Sequence, residues 1–263
     1  MNDPHVETLH YTIKHGDHVD YSRAEPLRIE ESNFTIQVTD GRAEITMNAH
    51  FASVGEARGV VEPFLRAWEL DMALRYGPRS IEFEYERPVI IERAPAPGAN
   101  VIYVVGACVA VGSCDVKMRV GFANFPQPTN DIRRDSIVDL MYARYALYRE
   151  GRTLLGDAAN FCFTAIAMGG GGRRNTAAKH YGVSEEVLAT LGKLSATKGG
   201  HHARKATAAT DDFTPSERQW LEDAMARLIR RAAEVAFDAT AARPQLTMAD
   251  LPPLKTEKRA SHA

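Results

Sequence analysis

The residues best suited to chemistry lie in one run, positions 168–205, which opens with four glycines at 169–172. Arg173 and Arg174 follow them directly. Backbone amides of a glycine loop at the start of a helix, beside guanidinium groups, can hold an anion. The run lacks the Lys-Ser or Lys-Thr pair that completes a nucleotide phosphate loop. It therefore predicts an anion site and argues against a nucleotide site.

Basic residues are concentrated in the same run. Positions 169–210 hold seven lysines and arginines against two acidic residues, a net charge of +5. Such side chains neutralise phosphates, so the segment favours contact with the backbone of a nucleic acid. The residues predicted to bind nucleic acid or another anion are Arg173, Arg174, Lys179, Lys193, Lys198, Arg204 and Lys205.

Arg174 and His180 lie six positions apart in the segment RNTAAKH. This pattern resembles the signature of HEPN ribonucleases, all-helical domains that dimerise to cleave RNA. The resemblance implies metal-independent cleavage, in which His180 transfers a proton to or from the 2′-hydroxyl or the leaving oxygen and Arg174 stabilises the phosphorane charge. Residues at this spacing do not share a helix face, so the pair converges only if Arg174 lies on the loop before the helix.

The spacing of small and apolar residues over about twenty positions also resembles a helix-turn-helix. Ala178 stands at the small position of the first helix, Gly182 at the turn glycine, and Val183 and Leu188 at the apolar positions that follow. Gly182 is expected to end the first helix in a left-handed conformation, which glycine adopts without a steric cost.

The second helix of this pattern is expected to span residues 185–191, with Ser184 as its cap and Gly192 as its end. Glu185 and Glu186 fill its first turn, where a DNA reader would meet base edges and phosphates. Carboxylates there oppose phosphates but are favoured by the helix dipole. A plain helical corner and a surface that binds only the nucleic-acid backbone both remain open.

The elements around this run follow from hydrophobic periodicity. Residues 34–39 and 42–47 alternate apolar with polar side chains, and Asp40-Gly41 between them suits a type I′ turn, which predicts a hairpin. A helix is predicted from about residue 53 or 55 to 76, and alternating strands are predicted between residues 80 and 122. After residue 126 the pattern is helical, and Thr214-Pro215-Ser216-Glu217 is a strong start signal for the last helix.

The predicted fold class is therefore α+β. An N-terminal, mostly antiparallel sheet with one long helix occupies residues 1–126, and a C-terminal all-α domain of about five helices occupies residues 127–240. Residues 241–263 have little apolar content and are predicted to form a flexible tail.

Composition excludes several classes of protein. The chain has 263 residues, 44% of them hydrophobic, which suffices for a buried core. It has no apolar run of membrane-spanning length, and its three cysteines have no metal-site spacing. The sequence therefore predicts a cytoplasmic protein with no membrane partner, cofactor or metal, and leaves a homo-oligomer open.

The charge balance differs between the halves. Residues 1–126 hold 12 basic against 18 acidic residues, and residues 127–263 hold 20 against 16. We interpret the chain as a non-catalytic binding or assembly module whose basic helical half engages nucleic acid or an acidic protein partner. Two alternatives remain: a HEPN-like ribonuclease using Arg174 and His180, and a structural subunit whose two halves pack together.

Overall fold

The computed structural model describes residues 3–93, 120–199 and 211–254. The chain divides into two compact units, Met1–Pro128 and Thr129–Ala263. The predicted strands between residues 94 and 119, and the predicted site residues Arg204 and Lys205, lie outside the described ranges. No helix in the described ranges combines the length and the apolar content needed to cross a membrane.

The first unit contains a sheet and one long helix. Its elements in chain order are β1 (Pro4–Lys14), β2 (Val19–Asp20), β3 (Leu27–Glu30), β4 (Phe34–Thr39), β5 (Arg42–Met47), α1 (Val54–Tyr76), β6 (Glu82–Glu92) and β7 (Val120–Gly121). Five strands form one sheet in the order β3-β4-β5-β1-β6, each antiparallel to its neighbours. β2 and β7 pair in parallel. The mostly antiparallel sheet with one long helix confirms the prediction.

Local signals explain the best-predicted elements of this unit. Asp40 and Gly41 both have positive φ, 50° and 72°, as the type I′ turn between β4 and β5 requires. α1 begins at a capping box, in which Ser53 and Glu56 each accept a hydrogen bond from the other's backbone N–H. Pro63 lies in the interior of α1, beyond the first turn.

β1 and β3 are absent from the sequence-based predictions. Leu9, Tyr11 and Ile13 of β1 are buried and alternate with polar residues, a pattern typical of a half-buried strand. The many charged and polar residues of this segment hide the alternation of apolar and polar residues in the sequence. β1 pairs with β5 on one side and β6 on the other, so this unpredicted strand lies inside the sheet.

The second unit is helical, and its described residues form five α-helices, in agreement with the prediction of about five. They are α2 (Ser136–Arg149), α3 (Leu155–Gly169), α4 (Arg174–Tyr181), α5 (Glu185–Thr197) and α6 (Pro215–Phe237), followed by a 3₁₀ turn at Met248–Asp250. α3 packs against each of the other four, which explains its nearly uniform apolar composition. α6 begins at the predicted capping box of Thr214 and Glu217.

The segment after α6 packs more closely than its composition predicts. Leu246 and Leu251 are buried, and the backbone of Leu246 forms a parallel bridge with Val183. Leu246 N–H donates to the Gly182 carbonyl at 2.9 Å, and Ser184 N–H donates to the Leu246 carbonyl at 2.8 Å. Two apolar side chains and these backbone bonds hold a segment that the sequence assigned to a flexible tail; residues 255–263 lie outside the described ranges.

Candidate nucleic-acid interface

The helical corner predicted around Gly182 is present. α4 ends at Gly182, which is left-handed with φ 59° and ψ 44°. Ser184 caps α5, because its Oγ accepts a hydrogen bond from the backbone N–H of Val187 at 3.2 Å. The side chains that the helix-turn-helix spacing places inside, those of Ala178, Val183 and Leu188, are buried. The local geometry of this corner is confirmed.

α5 is longer than the sequence predicts. It continues through Gly192 to Thr197, so the expected end at Gly192 is wrong. The Phe163 ring of α3 lies against the helix at this point, and a Cβ on Gly192 would sit 3.4 Å from its Cζ. Packing of Leu194 and Ser195, both buried, offsets the roughly 1 kcal/mol that a glycine costs inside a helix.

The glycine run forms a turn between α3 and α4. The backbone N–H groups of Gly170, Gly171 and Gly172 donate to the carbonyls of Ile166, Met168 and Ala167 of α3. These three amides are therefore occupied and do not face an external anion, while anion binding at the start of α4 with Arg173 and Arg174 stays a prediction. A Cβ on Gly170 would lie 2.3 Å from the Cα of Ala177. The glycine permits α4 to approach the end of α3.

Arg174 and His180 do not converge within one chain. Arg174 is the first residue of α4 and not part of the preceding loop, so the two side chains leave the helix roughly 120° apart. The Arg174 guanidinium lies 5.9 Å from the Phe163 ring centroid. The His180 ring lies edge-on to Tyr181, with centroids 4.6 Å apart. The ribonuclease interpretation stays a prediction.

Four predicted anion-binding residues share exposure and the lack of a carboxylate partner in the described part of the chain. They are Arg173, Arg174, Lys179 and Lys193, here called the basic cluster. They occupy the N-cap and both ends of α4 and the exposed side of α5. Glu185 and Glu186 are exposed in the first turn of α5. The segment 173–193 has four basic and two acidic residues, a net charge of +2.

Lys198 differs from the basic cluster. Its Nζ lies 3.5 Å from a carboxylate oxygen of Glu217 and 3.9 Å from one of Asp211. The side chain is only 25% exposed. Lys198 therefore neutralises the start of α6 and is poorly placed to bind an external anion.

Three arginines of α6 also have carboxylate partners. Arg227 pairs with Asp223, Arg230 with Asp131 and Glu234, and Arg231 with Glu234. These three arginines of α6 are thus held in ion pairs within the unit. The basic cluster is distinguished from them by charge that is not neutralised by a described neighbour.

A serine and a histidine of the first unit lie close together, although no motif or spacing in the sequence predicts the pair. His18 Nε2 lies 3.2 Å from Ser80 Oγ. The Ser80 hydroxyl donates to the Gly77 carbonyl, so its proton is not directed to the histidine. Ser80 is fully buried. The pair stabilises the turn after α1 and does not have the geometry of an activated nucleophile.

Other classes of site find no support in the described ranges. They contain no group of three or more His, Cys, Asp or Glu side chains placed to hold a metal ion. No family model, curated protein or solved structure matches the chain. Assignment of function therefore depends on the geometry of the basic cluster.

Proposed function

We propose that the helical unit binds nucleic acid through its phosphate backbone, by means of the basic cluster. The observation that carries this proposal is the presence on α4 and α5 of four exposed basic side chains with no carboxylate partner in the described ranges. By contrast, Lys198 and three arginines of α6, Arg227, Arg230 and Arg231, are neutralised by carboxylates. Arg173, Arg174, Lys179 and Lys193 are exposed without such partners in the described ranges. Exposed, unneutralised cations on these two successive helices are suited to phosphates.

The proposal is limited to backbone contacts. Base readout by a helix-turn-helix uses the first turn of the second helix. Here that turn carries the exposed carboxylates of Glu185 and Glu186, which repel phosphates at the edge of a groove. Binding is expected to depend weakly on base sequence, because phosphate contacts carry no sequence information.

The decisive experiment is a salt titration of binding. Fluorescence anisotropy with labelled duplex DNA, duplex RNA and single strands would give the dissociation constant between 50 and 300 mM salt, concentrations of roughly the range over which phosphate contacts weaken. Four contacts predict a slope of log K against log salt of about −3 to −4. Absence of binding to every one of these probes at the lowest salt concentration would contradict the proposal and favour a structural subunit.

An acidic protein surface is the competing ligand. Competition with polyglutamate at equal charge concentration distinguishes a nucleic-acid ligand from an acidic protein ligand, since polyglutamate carries negative charge without phosphates. We expect nucleic acid to compete far better than polyglutamate, because it has a higher linear charge density and releases condensed counterions. Equal competition would favour an acidic protein partner. The predicted cytoplasmic location is compatible with either ligand.

A further inference from the structure

The N-terminal end of β1 is held by a buried histidine. His5 is 2% exposed, and its ring stacks on that of His50, with centroids 5.3 Å apart and planes inclined by 21°. The backbone N–H of Phe51 donates to Nδ1 of His5 at 3.4 Å. Nδ1 accepts this bond only when it carries no proton, so the geometry requires a neutral ring with its proton on Nε2.

An irregularity in the sheet separates this end of β1 from the rest of the strand. The register of β1 against β6 shifts between Val6 and Thr8, and β5 pairs with β1 only from Thr8 onward. On the side away from β6, Val6 N–H donates to the Phe51 carbonyl at 2.9 Å. Residues 4–6 are therefore held by β6 and by the connection before α1, and can separate from that connection without breaking the β1–β5 ladder.

Charged groups reach His5 from each neighbouring segment. Arg93 follows β6, His50 lies in the connection before α1, and Asp3 and Glu7 come from the chain beside His5. Burial lowers the pKa of His5 from its usual 6.5, and Arg93 and His50 lower it further, while the two carboxylates oppose this. His50 is itself directed by Asp3, with its Nε2 3.5 Å from the Asp3 carboxylate.

We propose that His5 is an acid-sensitive latch between the start of β1 and the connection that enters α1. Protonation of Nδ1 places two donors face to face, breaks the bond from Phe51, and introduces a charge into a buried site. Residues 4–6 and the connection then separate. This device is independent of the proposed binding of nucleic acid.

The direction of the pH dependence follows from linkage. The unfolded or locally open chain has the ordinary histidine pKa of 6.5, and the closed state has a lower pKa. The latch is therefore fully stable above the open-state value and weakens as pH falls towards the closed-state pKa. Between these two values the population of the open state is expected to rise as pH falls, by at most about tenfold for each pH unit.

Nuclear magnetic resonance on the full chain tests the latch. Imidazole ¹⁵N shifts report which nitrogen of His5 carries the proton, and hydrogen exchange corrected for intrinsic rates reports protection of the Phe51 and Val6 amides. We expect an unprotonated Nδ1 at pH 7.5 and a loss of protection below the open-state pKa that is at most about tenfold per pH unit. A proton on Nδ1 at pH 7.5, or protection that is constant between pH 7 and 5, would overturn the proposal.

Two variants complete the test. His5→Asn places an amide oxygen near the position of Nδ1 and does not titrate, so Phe51 protection should become independent of pH. His10→Asn is the control, because His10 faces Glu44 across β1 and β5 and should leave the wild-type pH dependence in place. The same acid response in His5→Asn would overturn the latch. Should His5→Asn not fold, the wild-type ¹⁵N titration still decides the protonation state.

Discussion

Arg231 of α6 donates from its Nη1 to the carbonyl oxygen of Gly182 at 3.2 Å. The same nitrogen lies 2.9 Å from the Pro244 carbonyl oxygen, and Nε lies 3.1 Å from a carboxylate oxygen of Glu234. One guanidinium group, 11% exposed, thus joins α6, the α4–α5 turn and the segment after α6. It also complements the negative end of the α4 dipole. The orientation of the corner that carries the basic cluster therefore depends on a residue about fifty positions away.

Replacement of Arg231 by Met should lower the free energy of unfolding by about 1–3 kcal/mol, because the Gly182 and Pro244 carbonyls lose a charged donor. Arg227→Met is the matched control. The Arg227–Asp223 pair is about half exposed, so its loss should change stability by less than about 0.5 kcal/mol. Urea denaturation followed by circular dichroism measures both. Equal effects of the two variants would show that Arg231 has no special role.

Gly182→Ala should destabilise the helical unit by about 1–2 kcal/mol, the cost of a left-handed conformation for a residue with a Cβ. The new Cβ would also lie 3.1 Å from Arg231 Nη1. Gly59→Ala provides the opposite case, since Gly59 lies within α1 and a Cβ there meets nothing within 4 Å. That change should stabilise the protein by about 0.5–1 kcal/mol. Thermal denaturation measures the melting temperature of each variant. A change of both melting temperatures in the same direction would contradict this account.

Neutralising two members of the basic cluster should reduce the salt dependence of nucleic-acid binding. The double variant Arg174→Gln, Lys193→Gln removes two phosphate contacts, so the slope of log K against log salt should become less negative by roughly 2. The control Arg152→Gln, Arg227→Gln removes the same charge from arginines paired with Glu150 and Asp223. The salt slope of this control should equal that of the wild type. An equal decrease in slope in the two double variants would show that binding depends on net charge alone.

A test for RNA cleavage distinguishes the ribonuclease alternative. Arg174 and His180 leave α4 in different directions. We therefore expect that any cleavage of a labelled RNA by the protein does not depend on His180 and is unchanged in His180→Ala. Lys179→Ala is the neighbouring control for an effect on binding. Metal-independent cleavage that is lost in both Arg174→Ala and His180→Ala, but retained in Lys179→Ala, would contradict this expectation and favour a site completed by a second chain.

The thiol of Cys162 should be inert in the folded protein. It is fully buried, and burial raises its pKa to about 12. Only about one molecule in ten thousand would carry the thiolate at pH 8. A variant with Ser at positions 108 and 114 isolates this thiol, and its reaction with a disulfide reagent should require denaturant. Rapid stoichiometric labelling in native buffer would show that the site opens.

Elements with short-range signals were predictable from the sequence. The Asp40-Gly41 turn, the Thr214 capping box and the Gly182–Ser184 corner depend on residues within about four positions of one another, and all three are present. The five-helix composition of the second unit followed in the same way. Hydrophobic periodicity and helix caps involve residues that are close in sequence, so they can be recognised without the tertiary structure.

The features that the sequence left open or assigned wrongly depend on distant partners. β1 is stabilised by pairing with β5 and β6, α5 continues past Gly192 because Phe163 and the core cover it, and the glycine-loop amides are taken by α3. By itself the sequence determined the fold class, the helical corner and the location of its basic residues. Only the tertiary structure decided which of those charges are neutralised, since an ion pair depends on separation in space and not along the chain.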